Sequence, residues 1–193
     1  MEDRDFDIME VIRYDDVSIV EDDPFMRALL PLRDVPTRWD STWFVLCRGI
    51  RIRRGLDATT SRREWRGSEM FETDWRGVVE SKTFLNPFAL TTRFLEGYKY
   101  PTLGAVLPLF TKLLMFLESW SLDSNHSPES INAAVAAIRK LKKYCDRLSG
   151  VYLVSTVLDA RLKVEYFTSG LRWEAADGGN PSVDMVKEFV MPA

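Results

Sequence analysis

A chain of 193 residues, 46% apolar and 28% charged, is long enough to bury one substantial core and does not have the composition of a disordered protein. Its net charge of −3 is too small to single out a class of partner. Two cysteines and one histidine supply neither a disulfide framework nor a four-ligand structural zinc site, which points to a reducing compartment.

Charge is distributed unevenly. Residues 1–34 carry eleven acidic groups against four arginines, whereas residues 47–66 carry seven arginines (48, 51, 53, 54, 62, 63 and 66) against Asp57 and Glu64. An acidic arm beside a basic stretch is one form that a nucleic-acid face takes. Two solvated surfaces that partly neutralise one another would give the same pattern.

Met1–Asp7 is acidic, not basic then apolar, so no secretory signal is expected there. Residues 1–33 show no clean period and are expected to form an irregular acidic arm, with one short helix over 24–30 that Pro24 would open. Asp40 or Ser41 is placed to cap a helix whose inner face is Trp43, Leu46, Cys47 and Ile50. Arg48 and Arg51 flank that face, which predicts a helix half buried and half basic. Residues 57–72 break the period and are expected to be the longest loop.

The helical pattern returns from Asp74 with Trp75, Val78 and Val79, is interrupted at Asn86-Pro87, and resumes with Phe88, Thr91, Leu95 and Tyr98. Leu103 to Trp120 is the most apolar run, but Lys112 and Glu118 interrupt it. It reads as a central helix buried nearly all round, not as a membrane span, and Pro108 should bend it. Ser127-Pro128-Glu129 is a strong helix opening, followed by an inner face of Ile131, Ala134, Val135, Ile138, Leu141 and Cys145. Arg139, Lys140, Lys142 and Lys143 follow, where the helix dipole alone favours cations. A further helix begins after Gly150, and Asp159 is placed to cap a last one through Phe167. Beyond Thr168 the chain reads as a tail with a short helix over 182–190.

Two segments stand apart from this pattern: Asp34-Val-Pro-Thr-Arg-Trp-Asp-Ser-Thr-Trp43 and Val157-Leu-Asp-Ala-Arg-Leu-Lys-Val-Glu-Tyr-Phe167, about 120 residues apart. Between them come Leu85-x-Pro87-Phe88, Thr91 or Thr92, Leu95, Tyr100-Pro-Thr-Leu103 and Val106-Leu-Pro108. This order resembles the hAT superfamily of DNA transposases over residues 30–167. There an Arg-Trp segment and a Leu-Asp-Pro-Arg-x-Lys segment bracket a helical domain inserted into an RNase H-like nuclease. The chain departs from the pattern at Asp40, where the family has asparagine, and at Ala160, where it has proline. The second change could merge the helices on either side into one.

The resemblance implies an all-α helical bundle over 34–167, like the insertion domain of a hAT transposase, and a nuclear protein. The family cuts DNA with three acidic residues that hold paired divalent cations. The first two precede the Arg-Trp block, and nothing in residues 1–37 matches them; neither Glu174 nor Glu188 matches the third. No catalytic residue, metal ligand or cofactor is therefore assigned, and the expectation is a truncated, cleavage-incompetent relative. In the family, the counterparts of Arg38 and Trp39 lie by the active site at a DNA hairpin end, where an indole can stack on an unpaired base. The expected DNA-binding residues are Arg38, Trp39, Arg48, Arg51, Arg53, Arg54, Arg62 and Arg63, with self-association as a second mode of contact. No membrane or small-molecule partner is expected. A host-adapted helical module that binds protein is the alternative, and a nuclease with an unrecognised acidic triad is a third.

Overall fold

The computed structural model describes residues 31–35, 40–97, 101–145, 150–162 and 165–168. Among these residues the protein is all-α, with no strand. The helices are α1 (Ser41–Arg51), α2 (Arg53–Thr60), α3 (Glu72–Leu95), α4 (Val106–Leu122), α5 (Pro128–Cys145), α6 (Gly150–Leu158) and α7 (Glu165–Thr168), with 3₁₀ turns at Arg63–Trp65 and Leu103–Ala105. The expected helices over 24–30 and 182–190 lie outside the described residues, as do Arg38, Trp39 and Lys163. The chain divides into two compact units, with the boundary in sequence between Thr92 and Arg93, within α3.

In the unit after Thr92, α4 and α5 form an αα-hairpin. The connection spans only residues 123–127, which makes the two helices antiparallel neighbours. Accordingly Leu107 at the start of α4 shares a core cluster with Cys145 at the end of α5. Leu114 completes the buried set, and Phe110, Ile138, Leu141, Tyr152, Leu153 and Phe167 pack around it. The connection is tied by its own side chains. Asp123 accepts from the backbone N–H of Asn125 at 2.9 Å, a bond that holds its carboxyl below the usual carboxylate range. His126 stacks on Trp120 with ring centroids 3.6 Å apart, and the Trp120 indole donates to Ser130 Oγ at 2.8 Å. Ser127 opens α5 as expected, its Oγ accepting from the N–H of Ser130 at 3.3 Å.

Leu103–Leu122 is long and apolar enough to cross a membrane by length and composition, yet 56% of it is buried inside the protein. Burial is nearly all round over residues 107–114, where no residue is exposed; farther on Leu117 and Trp120 are buried while Met115 and Leu122 are exposed. Pro108 does not interrupt a formed helix. It occupies the third position of α4, where a backbone N–H has no intrahelical acceptor in any case.

Pro87 does sit inside a helix, and the expected interruption at Asn86-Pro87 is absent. α3 runs through it for 24 residues. Buried contacts on both sides, Trp75 before and Ala89, Thr91, Thr92 and Phe94 after, hold the helix despite one lost backbone bond. The merging expected from Ala160 also fails. α6 ends at Leu158, and Asp159 Oδ1 accepts from the Arg161 N–H at 3.0 Å, an Asx-turn that needs no proline. The Arg161 guanidinium closes the same carboxylate at 2.6 and 2.9 Å and holds it below the usual carboxylate range. Asp159 therefore ends one helix and does not cap the next.

Two buried polar links close this unit. Thr156, fully buried on α6, donates from Oγ1 toward the carbonyls of Gly104 and Tyr152, each at 2.9 Å. A Cβ on Gly104 would lie 2.7 Å from the Ser155 carbonyl oxygen, so only glycine permits this approach. Thr111 Oγ1 donates to the Leu107 carbonyl at 3.0 Å, which leaves the buried Tyr166 phenol to donate to Thr111 at 2.9 Å.

Gly104→Ala should lower stability by about 1–3 kcal/mol through overpacking, read as a lower urea midpoint at unchanged slope. Burial pushes the Tyr166 phenol from 10.0 up to about 12. The folded state therefore keeps this proton longer than the unfolded chain does. Its stabilising contribution is complete below about pH 10 and falls as pH rises toward 12. Tyr166→Phe should remove that part of the alkaline loss in denaturation curves measured between pH 9 and about 11.5.

Candidate nucleic-acid interface

In the unit before Arg93, α2 is fastened to the start of α3. Trp75 is 3% exposed, and its indole N–H donates to Asp57 Oδ1 at 3.0 Å. The Arg53 guanidinium lies over the same ring, 5.0 Å from its centroid, pairs with Asp57 at 3.5 Å and donates to Glu72. The Glu72 hydrogen bond holds Arg53 still more firmly protonated than an ordinary arginine. α3 is capped locally as Phe71 donates its N–H to Asp74 Oδ2 at 2.7 Å, one half of a capping box.

This fastening explains why residues 57–72 are not one long loop, as their broken period suggested. α2 reaches Thr60. Arg53 and Asp57 lie one turn apart on α2, and the hydroxyls of Thr59, Thr60 and Ser61 donate back to the carbonyls of Gly55, Leu56 and Asp57 at 2.7, 3.0 and 2.6 Å. Only residues 61–71 remain as a connection, and both its flanks are tied.

That connection carries most of the basic surface. Arg62, Arg63 and Arg66 are exposed on it, and Arg51 and Arg54 are exposed on the helices before it. Among the described residues, no carboxylate lies within ion-pair reach of these five. The 3₁₀ turn Arg63–Trp65 begins from extended backbone at Arg62, and the Trp65 N–H donates to the Arg62 carbonyl at 2.9 Å. A second turn follows: Arg66 has φ −57° and ψ 128°, Gly67 has φ 92°, and the Ser68 N–H donates to the Trp65 carbonyl at 3.0 Å. This is type II geometry, which requires the left-handed conformation that glycine supplies at position 67. Glu69 Oε2 accepts from the Gly67 N–H at 2.6 Å.

Two of the residues expected on this surface are used elsewhere. Arg48 is 1% exposed, so it is a buried side chain and not part of a basic face. It stands well around the helix from Trp43, which is buried too, so α1 is enclosed on more than the single face its apolar period marks. The long apolar stem of arginine allows such burial. Arg53 belongs to the Trp75 clasp. Asp40 precedes α1 without capping it through its side chain, and Ser41 Oγ instead donates to Asp34. Arg51, Arg54, Arg62 and Arg63 are brought to the surface within one segment. Residue-by-residue reading did not single out Trp65, which lies between Arg63 and Arg66 and is 52% exposed. The interleaving of one tryptophan among arginines was the available signal. Among the described residues, no group of three His, Cys, Asp or Glu side chains could hold a metal ion.

The chain is similar to a protein of Talaromyces stipitatus whose name reads "Putative transcriptional regulator tpeD", with 26% identity over 147 residues. The match takes in 76% of this chain but spans only 16% of that protein's length. No family model matches the chain, and no solved structure matches it.

Because Arg48 is buried, Arg48→Ala should lower stability by on the order of 2–5 kcal/mol, as other large buried truncations do. Measured on the folded fraction, the salt dependence of any nucleic-acid binding should stay at the wild-type value.

Proposed function

We propose that this chain is a transposase-derived nuclear protein, similar to the helical insertion of hAT enzymes, that binds DNA weakly and has no cleavage step of its own. One observation carries the reading. Arg51, Arg54, Arg62, Arg63 and Arg66 are exposed within sixteen residues of sequence, and no described carboxylate pairs with them. Guanidinium groups left unneutralised in this way are suited to phosphate, which they can meet with two parallel hydrogen bonds. Five such groups permit few simultaneous phosphate contacts, so the binding is of the weak, sequence-independent kind. The ordered motif blocks over residues 30–167 support the transposase origin, and the name of the Talaromyces relative, a transcriptional regulator, supports a role at DNA.

A second reading has its own observation. In the unit after Thr92, Leu122, Leu158 and Val151 are 85%, 75% and 59% exposed. Large apolar side chains left in solvent favour a protein partner or a second copy of the chain. Sedimentation at rising protein concentration, with and without duplex DNA, separates the two. A concentration-dependent mass with no DNA-bound species supports the second reading alone.

Binding of a labelled duplex should weaken with salt, log K falling linearly against log salt. Each phosphate contact removed should take about 0.9 off the slope. Arg54→Ala, Arg62→Ala and Arg63→Ala combined should flatten it by up to about 2.7. A slope unchanged in the triple variant would remove the basic segment from the function.

A further inference from the structure

We propose that Trp65 and the arginines beside it form a seat for an unpaired nucleotide: the indole stacks on the base, and Arg62, Arg63 and Arg66 meet the phosphates on either side. The inference rests on the reading of this segment as a DNA-binding surface and names the form of DNA it takes.

The first support is the contrast among tryptophans. Trp43, Trp75 and Trp120 are 5%, 3% and 7% exposed, whereas Trp65 is 52% exposed. A side chain of this size gains much from burial, so one left half in solvent forgoes that gain in the free protein. The second support is rigidity. Trp65 is shared by two consecutive turns, donating its N–H to the Arg62 carbonyl and accepting at its own carbonyl from Ser68. Gly67 makes the second turn possible, and Glu69 fastens it. The backbone under the indole is therefore set before any ligand arrives, which lowers the ordering cost of binding.

Charge selects the partner. Three exposed arginines, Arg62, Arg63 and Arg66, lie within three positions of Trp65 in sequence against one adjacent acid, Glu64, and Glu69 is engaged by Gly67. A ligand that fits must present a planar face and closely spaced negative charge on both sides of it. A single-stranded nucleic acid does both at every residue. The bases of a duplex are stacked on each other and offer no free face, so duplex DNA would engage the arginines and leave the indole unused. Strand ends, mismatches and extruded bases are the places where a duplex offers what this seat takes.

The test compares the 193-residue chain with its Trp65→Ala and Trp65→Phe variants on three labelled probes: a thymidine 12-mer, the same strand with abasic sites throughout, and a relaxed closed-circular duplex, which has no ends. Wild type should bind the thymidine strand roughly tenfold more tightly than the abasic strand, a factor within the usual range for one base stacked on one aromatic ring. Trp65→Ala should erase that difference and leave duplex binding unchanged. Trp65→Phe should keep most of it, which a general loss of folding would not. Equal binding of thymidine and abasic strands by wild type, or an undiminished preference in Trp65→Ala, overturns the seat. In that event, salt-dependent duplex binding that weakens in the arginine variants still upholds the DNA-binding surface. Failure of all three probes to bind overturns both.

Discussion

The buried indole of Trp75 is the constraint on which the basic surface depends. Its N–H is satisfied by Asp57, its face is covered by Arg53, and Arg53 is in turn held by Asp57 and Glu72. These partners join the middle of α2 to the first turn of α3. Neither helix end would otherwise be compelled to stay near the other, because α2 buries no residue fully. With the clasp in place, residues 61–71 become a short loop between fixed posts, and arginines that would move independently share one small region.

Within the clasp, charge serves packing as much as recognition. Arg53 is the clearest case, a cation whose ring contact and two carboxylate partners turn it inward. Pairs of this exposure contribute little on their own. Sharing one arginine among an indole and two acids gives the group a single geometry, and that geometry matters more for the site than the energy does. A count of arginines over residues 47–66 thus overstates the basic surface, since Arg48 is buried and Arg53 is engaged.

Helix content and most helix starts were legible in the sequence, because apolar period and capping are local properties. Ser127-Pro128 opens α5 as its residue types require, and the stripe from Leu107 to Leu117 packs as its spacing implies. What was not legible depended on partners far away in sequence. Nothing local to Asn86-Pro87 shows that buried residues on both sides will carry a helix through proline. At Asp159 the proline that would mark a break is missing, and the carboxylate itself turns the chain through Arg161. Likewise Asp57 reads as a loop residue until Trp75, eighteen positions later, is found to donate to it. Of the surface itself, Arg51, Arg54, Arg62 and Arg63 were visible as charge. Trp65 was visible only as one tryptophan among arginines; that it stays exposed is a property of the folded chain, which no periodicity announces.

Posts that hold without help from the span between them have a consequence for how this segment can change over time. The entropy of closing a flexible loop grows only as the logarithm of its length, about 0.6 kcal/mol for each doubling. Residues 61–71 could therefore gain or lose several positions, or exchange their arginines and tryptophan for others, at small cost to the packing of α2 on α3. Mutation can revise what this protein touches while leaving untouched how it folds.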